Sequence, residues 1–393
     1  MSDDDWPKGW YRDEKPSGST PEPGMTVPGV GAPGVGAPAP ATWPAQPPPV
    51  SEPAPGLPPA QGRPRGGRRW RFWGQPGRRG RRIALIGASL VVILIAAVAG
   101  SYFWLNGKLN HSVTLPAFTG QSAGQNWLIV GSDTRDGLTT KQIIEYHVGF
   151  DFGTANSDSL MLLHIGSGRP VLISIPRDSY VPIPGYGWNK INAALAFGGP
   201  SLLVQTVENV TGLRINHYMG IGFGGLVSVV NEVGGVRICL PAPLKDTDSG
   251  VNLKAGCQNL NGQQALAFVR DRHSFADEDL QRMQDQRAFL KALLDKATSP
   301  GVYLNPFTAL PFASTSASSI SVDNGTSLYD LVQAALALRD PLTGTVPIAN
   351  PNYVTSNAGD AVQWNQAEAL ELFAALQKNK PVPSGLLSGT TIG

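Results

Sequence analysis

The chain has 393 residues, of which 41% are hydrophobic and 15% are charged, and its formal net charge is +2. This length is enough to bury a sizeable core, and the low charged fraction excludes a charged coiled coil or an acidic disordered chain. Residues 1–82 contain 12 Lys and Arg against 7 Asp and Glu, so the rest of the chain is slightly acidic, which argues against nucleic-acid binding by the folded part.

Residues 1–82 are rich in Pro, Gly and Arg, and 18 of the 34 prolines lie in the first 76 positions. Because such a segment buries too little apolar surface to offset its loss of entropy on ordering, we predict a disordered tail. Its last part, residues 63–82, contains nine arginines, which we interpret as a determinant of membrane topology with anionic-lipid contacts.

Residues 83–105 contain no charged side chain. At about 1.5 Å per residue in a helix, this run spans the roughly 30 Å hydrocarbon core of a bilayer. The arginines on its N-terminal side predict a cytoplasmic N-terminus and an extracytoplasmic location for everything that follows. The sequence therefore predicts a single-pass protein of the cell membrane.

After the span we predict a spacer at residues 106–114, a globular α/β domain at 115–378 and a polar C-terminal tail at 379–393. Cys239 and Cys257 both lie in the exported part, where disulfides persist. A disulfide between them would contribute about 3 kcal/mol by closing the loop, and two unpaired cysteines are the less favoured alternative.

Three short apolar runs predict strands, at residues 126–130, 159–165 and 171–175. If they form an antiparallel meander, four polar residues lie together at one edge of the sheet: Asp133, Asp158, Arg177 and Asp178. Two adjacent carboxylates resist joint ionisation unless a cation lies between them, so Asp133 and Asp158 indicate a Mg²⁺ site. Taken singly, each aspartate would be an ordinary strand-end residue.

A second concentration of polar residues follows residues 265–269, which the apolar run predicts as a buried strand. In a strand, Arg270 and Arg272 would point to one face, where two guanidinium groups favour an anion such as a diphosphate. A helix is predicted from about residue 277 to 296, with Asp279, Arg282 and Gln286 on one side. A solvated helix with an Asp279–Arg282 ion pair is the alternative for that face.

Three further runs are less specific. Residues 188–194 predict the start of a helix, on which Lys190 could reach a phosphate, although a solvated lysine is the ordinary interpretation. The apolar runs 202–204 and 226–230 could line a slot for a lipid chain, with core packing as the main role of most of their residues.

An ordered series of motifs resembles the LytR-CpsA-Psr family over about residues 120–378. The series consists of Gly-Ser-Asp133-x-Arg, Ser-Asp158-Ser, Ile-Pro-Arg177-Asp178, Lys190-Ile-Asn-x-Ala, Gly-Gly-Val236, Ala-Phe-Val-Arg270-x-Arg272 and Asp279-x-x-Arg282. The resemblance implies a three-layer α/β/α sandwich with a mixed central sheet. It also implies a phosphotransferase that moves a glycan from a polyprenyl-diphosphate carrier to peptidoglycan.

The resemblance assigns roles residue by residue. Asp133 and Asp158 match aspartates that coordinate Mg²⁺, with Mn²⁺ as an alternative metal. The catalytic set would be Asp158, Arg177, Arg270 and Arg272, and the diphosphate would contact Arg177, Lys190, Arg270, Arg272, Arg282 and Gln286. Gln284 competes with Gln286 for this last position, because Asp285 departs from the family pattern.

The tail and the cysteine pair look like those of actinobacterial members, for which arabinogalactan attachment is the expected activity. The long segment between Asp133 and Asp158 predicts a loop that covers the site. Two other functions remain open from the sequence. A pyrophosphatase would use water as the acceptor, and a non-enzymatic module would bind the wall or regulate its assembly. For the general base of the transfer, the candidates are Asp178 and a metal-bound carboxylate.

Overall fold

The computed structural model describes residues 78–149, 156–271 and 278–387. The predicted tail up to residue 77 lies outside the described residues, as do Arg272 and the end of the chain. The described residues from Leu94 onward belong to one compact unit, and residues 78–93 belong to another.

Helix α1 (Arg78–Asn106) contains the predicted span. Within Gly80–Asn106, an 18-residue window has a mean hydropathy of 2.7, and side chains such as Ile86 and Leu94 are exposed. The helix is long and apolar enough to cross a membrane, as the charge-free run predicts.

The remaining elements alternate between strands and helices. In chain order, the strands are β1 (Asn110–Val113), β2 (Gln125–Ser132), β3 (Ser157–Ile165), β4 (Val171–Ile175), β5 (Tyr180–Ile183), β6 (Gly187–Lys190), β7 (His217–Ile221), β8 (Val236–Leu240), β9 (Leu244–Asp246), β10 (Val251–Leu253), β11 (Gly256–Leu260), β12 (Ile320–Asp323), β13 (Leu342–Thr345), β14 (Ile348–Thr355) and β15 (Gly359–Trp364). The helices are α2 (Thr140–Glu145), α3 (Ala193–Thr211), α4 (Phe223–Glu232), α5 (Gly262–Arg270), α6 (Glu278–Ala297), α7 (Pro300–Tyr303), α8 (Pro306–Ser319), α9 (Leu328–Ala337) and α10 (Gln366–Gln377).

Seven strands form the central sheet in the order β1-β12-β7-β2-β3-β4-β13. Strands β2, β3 and β4 pair antiparallel, which confirms the predicted meander. The sheet is mixed, because β2 pairs in parallel with β7 and β4 pairs in parallel with β13.

Helices cover both faces of the sheet. Successive side chains of a strand point to opposite faces, so Leu128 and Trp127 of β2 enter different cores. Leu128 packs in a cluster with residues of α3 and α10, whereas Trp127 packs in a cluster with residues of α6 and α9. The fold is therefore the predicted three-layer α/β/α sandwich.

The apolar run 265–269 forms part of helix α5, so the prediction of a strand there is wrong. Short apolar runs fit a buried strand or a buried helix equally well. The capping box decides the outcome: the Asn261 side chain accepts the Gln264 N–H, and the Gln264 side chain accepts the Asn261 N–H. Arg270 is consequently the last residue of a helix, and the argument from strand alternation does not apply to it.

Several other boundaries differ from the predictions. Residues 78–82, predicted as part of the disordered tail, form the start of α1. Residues 110–113, predicted as part of a spacer, form β1 and pair with β12 at the edge of the sheet. Lys190 ends strand β6 instead of starting a helix, and α3 begins three residues later. In the C-terminal tail, a 3₁₀ turn at Ser384–Leu387 buries Leu386 in the main core.

Cys239 and Cys257 form a disulfide, as predicted. The two cysteines lie directly opposite each other on the antiparallel strands β8 and β11. Strand β11 is followed at once by Asn261 and helix α5, so the covalent link lies just before the helix that ends in Arg270.

The buried carboxyl of Glu208 makes folding sensitive to pH. It accepts the Ile215 N–H at 2.8 Å, and burial raises its pKa to about 7, although this hydrogen bond and the nearby charge of Arg214 act in the opposite direction. Between pH 4.5 and 7 the folded chain therefore binds more protons than the unfolded chain, and its stability falls as the pH rises.

We expect Glu208→Gln to remove this loss, because the amide oxygen can still accept the Ile215 N–H. Relative to the unsubstituted chain, the variant should gain up to about 3 kcal/mol in free energy of unfolding between pH 4.5 and pH 8. Urea denaturation at several pH values measures the difference. Glu371→Gln on the exposed side of α10 is the matched control, and an equal response of both variants would contradict the prediction.

Candidate functional site

Polar residues gather at one end of the central strands, where the C-terminal ends of β2 and β4 lie beside the N-terminal end of β3. Asp133 follows β2, Asp158 lies at the start of β3, and Arg177 follows β4 after Pro176. The antiparallel register pairs Leu160 with Ile175, so the start of β3 lies beside the end of β4. The meander thus brings the predicted carboxylates and the first predicted arginine together.

Arg177 connects two carboxylates. Its Nη1 donates to Asp158 Oδ1 at 2.9 Å, and its Nε donates to Asp178 Oδ2 at 3.2 Å. Lys190 Nζ lies 3.1 Å from the other oxygen of Asp178. These side chains are only partly exposed, so the ion pairs are screened less than surface pairs are.

Asp133 is oriented by the backbone next to β3. Its N–H donates to the Asn156 carbonyl at 3.1 Å, and its Oδ1 accepts the Asn156 N–H at 2.8 Å. Arg135 Nη1 donates to the Asp133 carbonyl, and Arg135 Nη2 donates to the Val148 carbonyl at 2.7 Å. Arg135 therefore ties Asp133 to the far end of the segment that follows α2.

Arg270 is held by the same segment. Its Nη1 and Nη2 donate to the carbonyls of Tyr146 and His147 at 3.2 and 3.1 Å, and its guanidinium lies 5.1 Å from the centre of the Phe223 ring. A cation over an aromatic face gains electrostatic stabilisation. Gln286 of α6 donates to the Val269 carbonyl at 3.3 Å and lies beside the end of α5.

A polar cavity of about 580 Å³ contains these residues. Six predicted site residues line it: Asp133, Asp158, Arg177, Lys190, Arg270 and Gln286. Arg272 lies outside the described residues, and Arg282 is placed on α6 without a described side chain. The predicted acidic and basic groups that are described thus face one space.

The carboxylates of Asp133 and Asp158 are possible ligands of a divalent metal. In the described part of the chain, no group of three or more His, Cys, Asp or Glu side chains could hold a metal. Mg²⁺ commonly binds through one or two carboxylates together with phosphate oxygens and water. Asp133 and Asp158 fit that donor set, because each ionised carboxylate offers two oxygens with about four lone-pair sites.

Sequence reasoning missed several residues of the polar cavity. Arg135, Asn192 and the β9–β10 turn line it, and the turn contributes Asp246, Asp248 and Ser249. Asp246 accepts the N–H groups of the other two, as an aspartate does in many turns. No local pattern distinguishes this turn from an ordinary one, and only the packing of the hairpin brings it to the site.

An apolar cavity of about 420 Å³ lies beside the polar one. It is formed by one face of the sheet and by helices, and it shares a wall of five residues with the polar cavity: Asp158, Phe223, Val269, Arg270 and Gln286. Of the two apolar runs considered for a lipid slot, 226–230 contributes Leu226 and Val229. The run 202–204 does not line the cavity, because Leu203 and Val204 are fully buried against the other face of the sheet.

Comparisons with known proteins show which sequences and structures the chain is similar to. The sequence model of the LytR_cpsA_psr family matches residues 105–377. The chain is 42% identical over 296 residues to the "Probable cell wall biosynthesis protein LcpB" of Corynebacterium glutamicum, a match that covers 75% of this chain and 70% of LcpB. It is 40% identical over 134 residues to the polyisoprenyl-teichoic acid–peptidoglycan teichoic acid transferase TagT of Bacillus subtilis, which covers 33% of this chain and 41% of TagT.

The fold is also similar to that of a solved structure. The LytR-Csp2A-Psr enzyme from Actinomyces oris superposes with a TM-score of 0.53 at 22% sequence identity. The superposition covers 68% of this chain and 95% of the other chain. At this identity the likeness concerns the fold.

Hydrogen bonds of Ser179 hold the loop that carries Arg177 and Asp178. The buried Ser179 Oγ donates to the Pro176 carbonyl at 2.6 Å and accepts the Trp364 Nε1–H at 2.8 Å. Ser179 therefore links the loop to β15.

We expect Ser179→Ala to lower the free energy of unfolding by about 1–3 kcal/mol, because the buried indole N–H of Trp364 would lose its acceptor. Chemical denaturation followed by tryptophan fluorescence measures the change. Ser318→Ala, at an exposed serine of α8, is the control. Equal stability of the two variants would show that the link does not hold the loop.

Proposed function

The chain belongs to the LytR-CpsA-Psr family, and we propose that it transfers a phosphate-linked glycan from a polyprenyl-diphosphate carrier to peptidoglycan. The observation that carries the proposal is the wall shared by the polar and the apolar cavity. A polyprenyl-diphosphate glycan has a charged head joined to a long apolar tail. Two adjoining cavities of opposite polarity suit such a molecule, whereas a binder of wall glycan has no use for the apolar one.

The names of the relatives support this substrate class. The B. subtilis relative is named as a transferase from a polyisoprenyl-linked polymer to peptidoglycan, and LcpB is named as a protein of cell wall biosynthesis. We propose arabinogalactan as the glycan of this chain. The support is the resemblance of its N-terminal tail and cysteine pair to those of actinobacterial family members.

In the proposed complex, the diphosphate lies in the polar cavity. Arg177 and Arg270 are the described guanidinium groups that would contact it, with Lys190 and Gln286 at its sides. By the family resemblance, Arg272 and Arg282 complete the set. The two carbonyls that hold Arg270 keep its planar group oriented before substrate arrives.

We propose that Asp133 and Asp158 hold Mg²⁺, with Mn²⁺ as an alternative. The metal, when bound, would neutralise charge on the diphosphate oxygens. Asp158 is also the partner of Arg177, so one carboxylate would position both a cationic side chain and the metal.

The reaction exchanges one phosphorus–oxygen bond for another. An acceptor hydroxyl of peptidoglycan forms a bond to the phosphorus that carries the glycan, and the bond from that phosphorus to the bridging oxygen breaks. The departing polyprenyl phosphate gains negative charge, which the arginines stabilise. The hydroxyl proton passes to a carboxylate, for which Asp178 and the two metal-holding aspartates are the candidates.

We propose that α1 anchors the chain in the cell membrane, with its arginine-rich N-terminus in the cytoplasm and the catalytic domain outside. The disulfide supports an oxidising location for the domain. Anchoring also suits the substrate. Moving a polyprenyl tail from lipid into water costs about 0.8 kcal/mol per CH₂, so the carrier stays in the membrane.

The products of the reaction test the proposal. The full chain in lipid vesicles, given a polyprenyl-diphosphate glycan, peptidoglycan and Mg²⁺, should release polyprenyl phosphate and attach an equal amount of glycan to peptidoglycan. EDTA should stop both, and added Mg²⁺ should restore them. Release of free phosphorylated glycan would indicate a pyrophosphatase, and peptidoglycan binding without turnover would indicate a non-enzymatic module.

We expect Arg270→Gln to lower kcat/KM for the transfer by about 10²–10³-fold, since it removes a charge that stabilises the leaving phosphate. Arg169→Gln, at an exposed arginine that pairs with Asp340 away from both cavities, is the matched control and should retain full activity. Full activity of the Arg270 variant would exclude Arg270 from the site.

A further inference from the structure

The region around helices α7 and α8 has an unusual composition for a protein surface. From Thr298 to Val322 the sequence contains no charged residue. Within this stretch, Leu304 and Phe307 are 70% and 87% exposed, and Leu310 is also exposed. Large apolar side chains that are this exposed and lack charged neighbours in sequence are typical of a surface that contacts a partner or a lipid.

Helix α9 presents a second set of exposed apolar residues. Tyr329, Val332 and Leu336 are spaced by three and four residues, so they lie on one side of the helix, and all three are exposed. We call these three residues and the three above, taken together, the apolar rim: Leu304, Phe307, Leu310, Tyr329, Val332 and Leu336.

The rim adjoins the end of the membrane-crossing helix. Asn106, the last residue of α1, accepts the N–H of Leu328 at 2.9 Å and thereby caps the start of α9. Leu109 packs in one cluster with Ala317 of α8 and Leu331 of α9. Both rim helices therefore contact the part of the chain that leaves the span.

The same two helices also line the apolar cavity. Phe312 and Ala317 of α8 face it, as do Leu331 and Val332 of α9. Val332 is at once exposed and part of the cavity lining. The apolar cavity therefore reaches the protein surface at Val332, one residue of the rim.

We propose that the apolar rim inserts into the surface layer of the membrane, so that the apolar cavity opens directly into lipid. The inference rests on the proposed anchoring of the chain by α1. The occupant is the bilayer, because the rim lies where the span ends and its α7–α8 part carries no charge. A lipid tail could then enter the cavity laterally, without crossing water.

Contact with lipid can be measured without any assay of activity. The two native cysteines form a disulfide, so a single introduced cysteine can be labelled with an environment-sensitive fluorophore. The positions to label are Phe307→Cys and Leu336→Cys in the rim, and Val354→Cys as the control, because Val354 is 75% exposed but lies on β14. The full chain is placed in nanodiscs that hold one copy each, with lipids that carry a quencher near the headgroup.

We expect the rim labels to lose at least half of their fluorescence and the Val354 label to lose less than a tenth. Equal quenching at all three positions would overturn the proposal. Rim labels that are quenched only in discs with two copies would show that a second chain covers the rim, which would also overturn it.

A second measurement uses the proposed transfer reaction. Phe307→Asp combined with Leu336→Asp should lower kcat/KM about tenfold for a long-chain carrier embedded in nanodiscs. The activity on a short-chain, water-soluble carrier should stay the same, and Val354→Asp should change neither. If no variant transfers glycan, the proposed function fails while the quenching result still decides the fate of the rim. An equal loss on both carriers would contradict the role of the rim in lipid entry.

Discussion

The guanidinium of Arg177 lies between the carboxylates of Asp158 and Asp178, and it thereby joins the start of β3 to the loop that follows β4. Because Lys190 pairs with the second oxygen of Asp178, the two carboxylates are matched by two cations. An entering diphosphate would offer this guanidinium further oxygens of the same kind. In the proposed function, the diphosphate would therefore compete with these two carboxylates for the guanidinium of Arg177.

The sequence predicted the part of the site that lies at the ends of apolar strands. The apolar runs predicted the strands β2, β3 and β4, and the structure confirms the antiparallel meander that the site prediction assumed. The placement of Asp133, Asp158 and Arg177 at one edge follows from these two features alone. The prediction for Arg270 reached the right cavity from a wrong premise, because its helix was taken for a strand.

Other parts of the site depend on contacts between distant segments. Arg270 donates to carbonyls more than 120 positions earlier in the chain, and the β9–β10 turn reaches the polar cavity only through the packing of its hairpin. The apolar cavity has no local signature, because its lining residues resemble those of any core. The runs 202–204 and 226–230 look alike in sequence, yet only the second reaches the cavity.

The Cys239–Cys257 disulfide bears on when the site around Arg270 reaches its final arrangement. Strand β11 is followed directly by the capped start of α5. The disulfide fixes β11 to β8 and so restrains the start of the helix that ends in Arg270. If the domain is exported as proposed, a newly made chain on the reducing side of the membrane would lack this restraint. Formation of this one disulfide after export would then complete the positioning of Arg270.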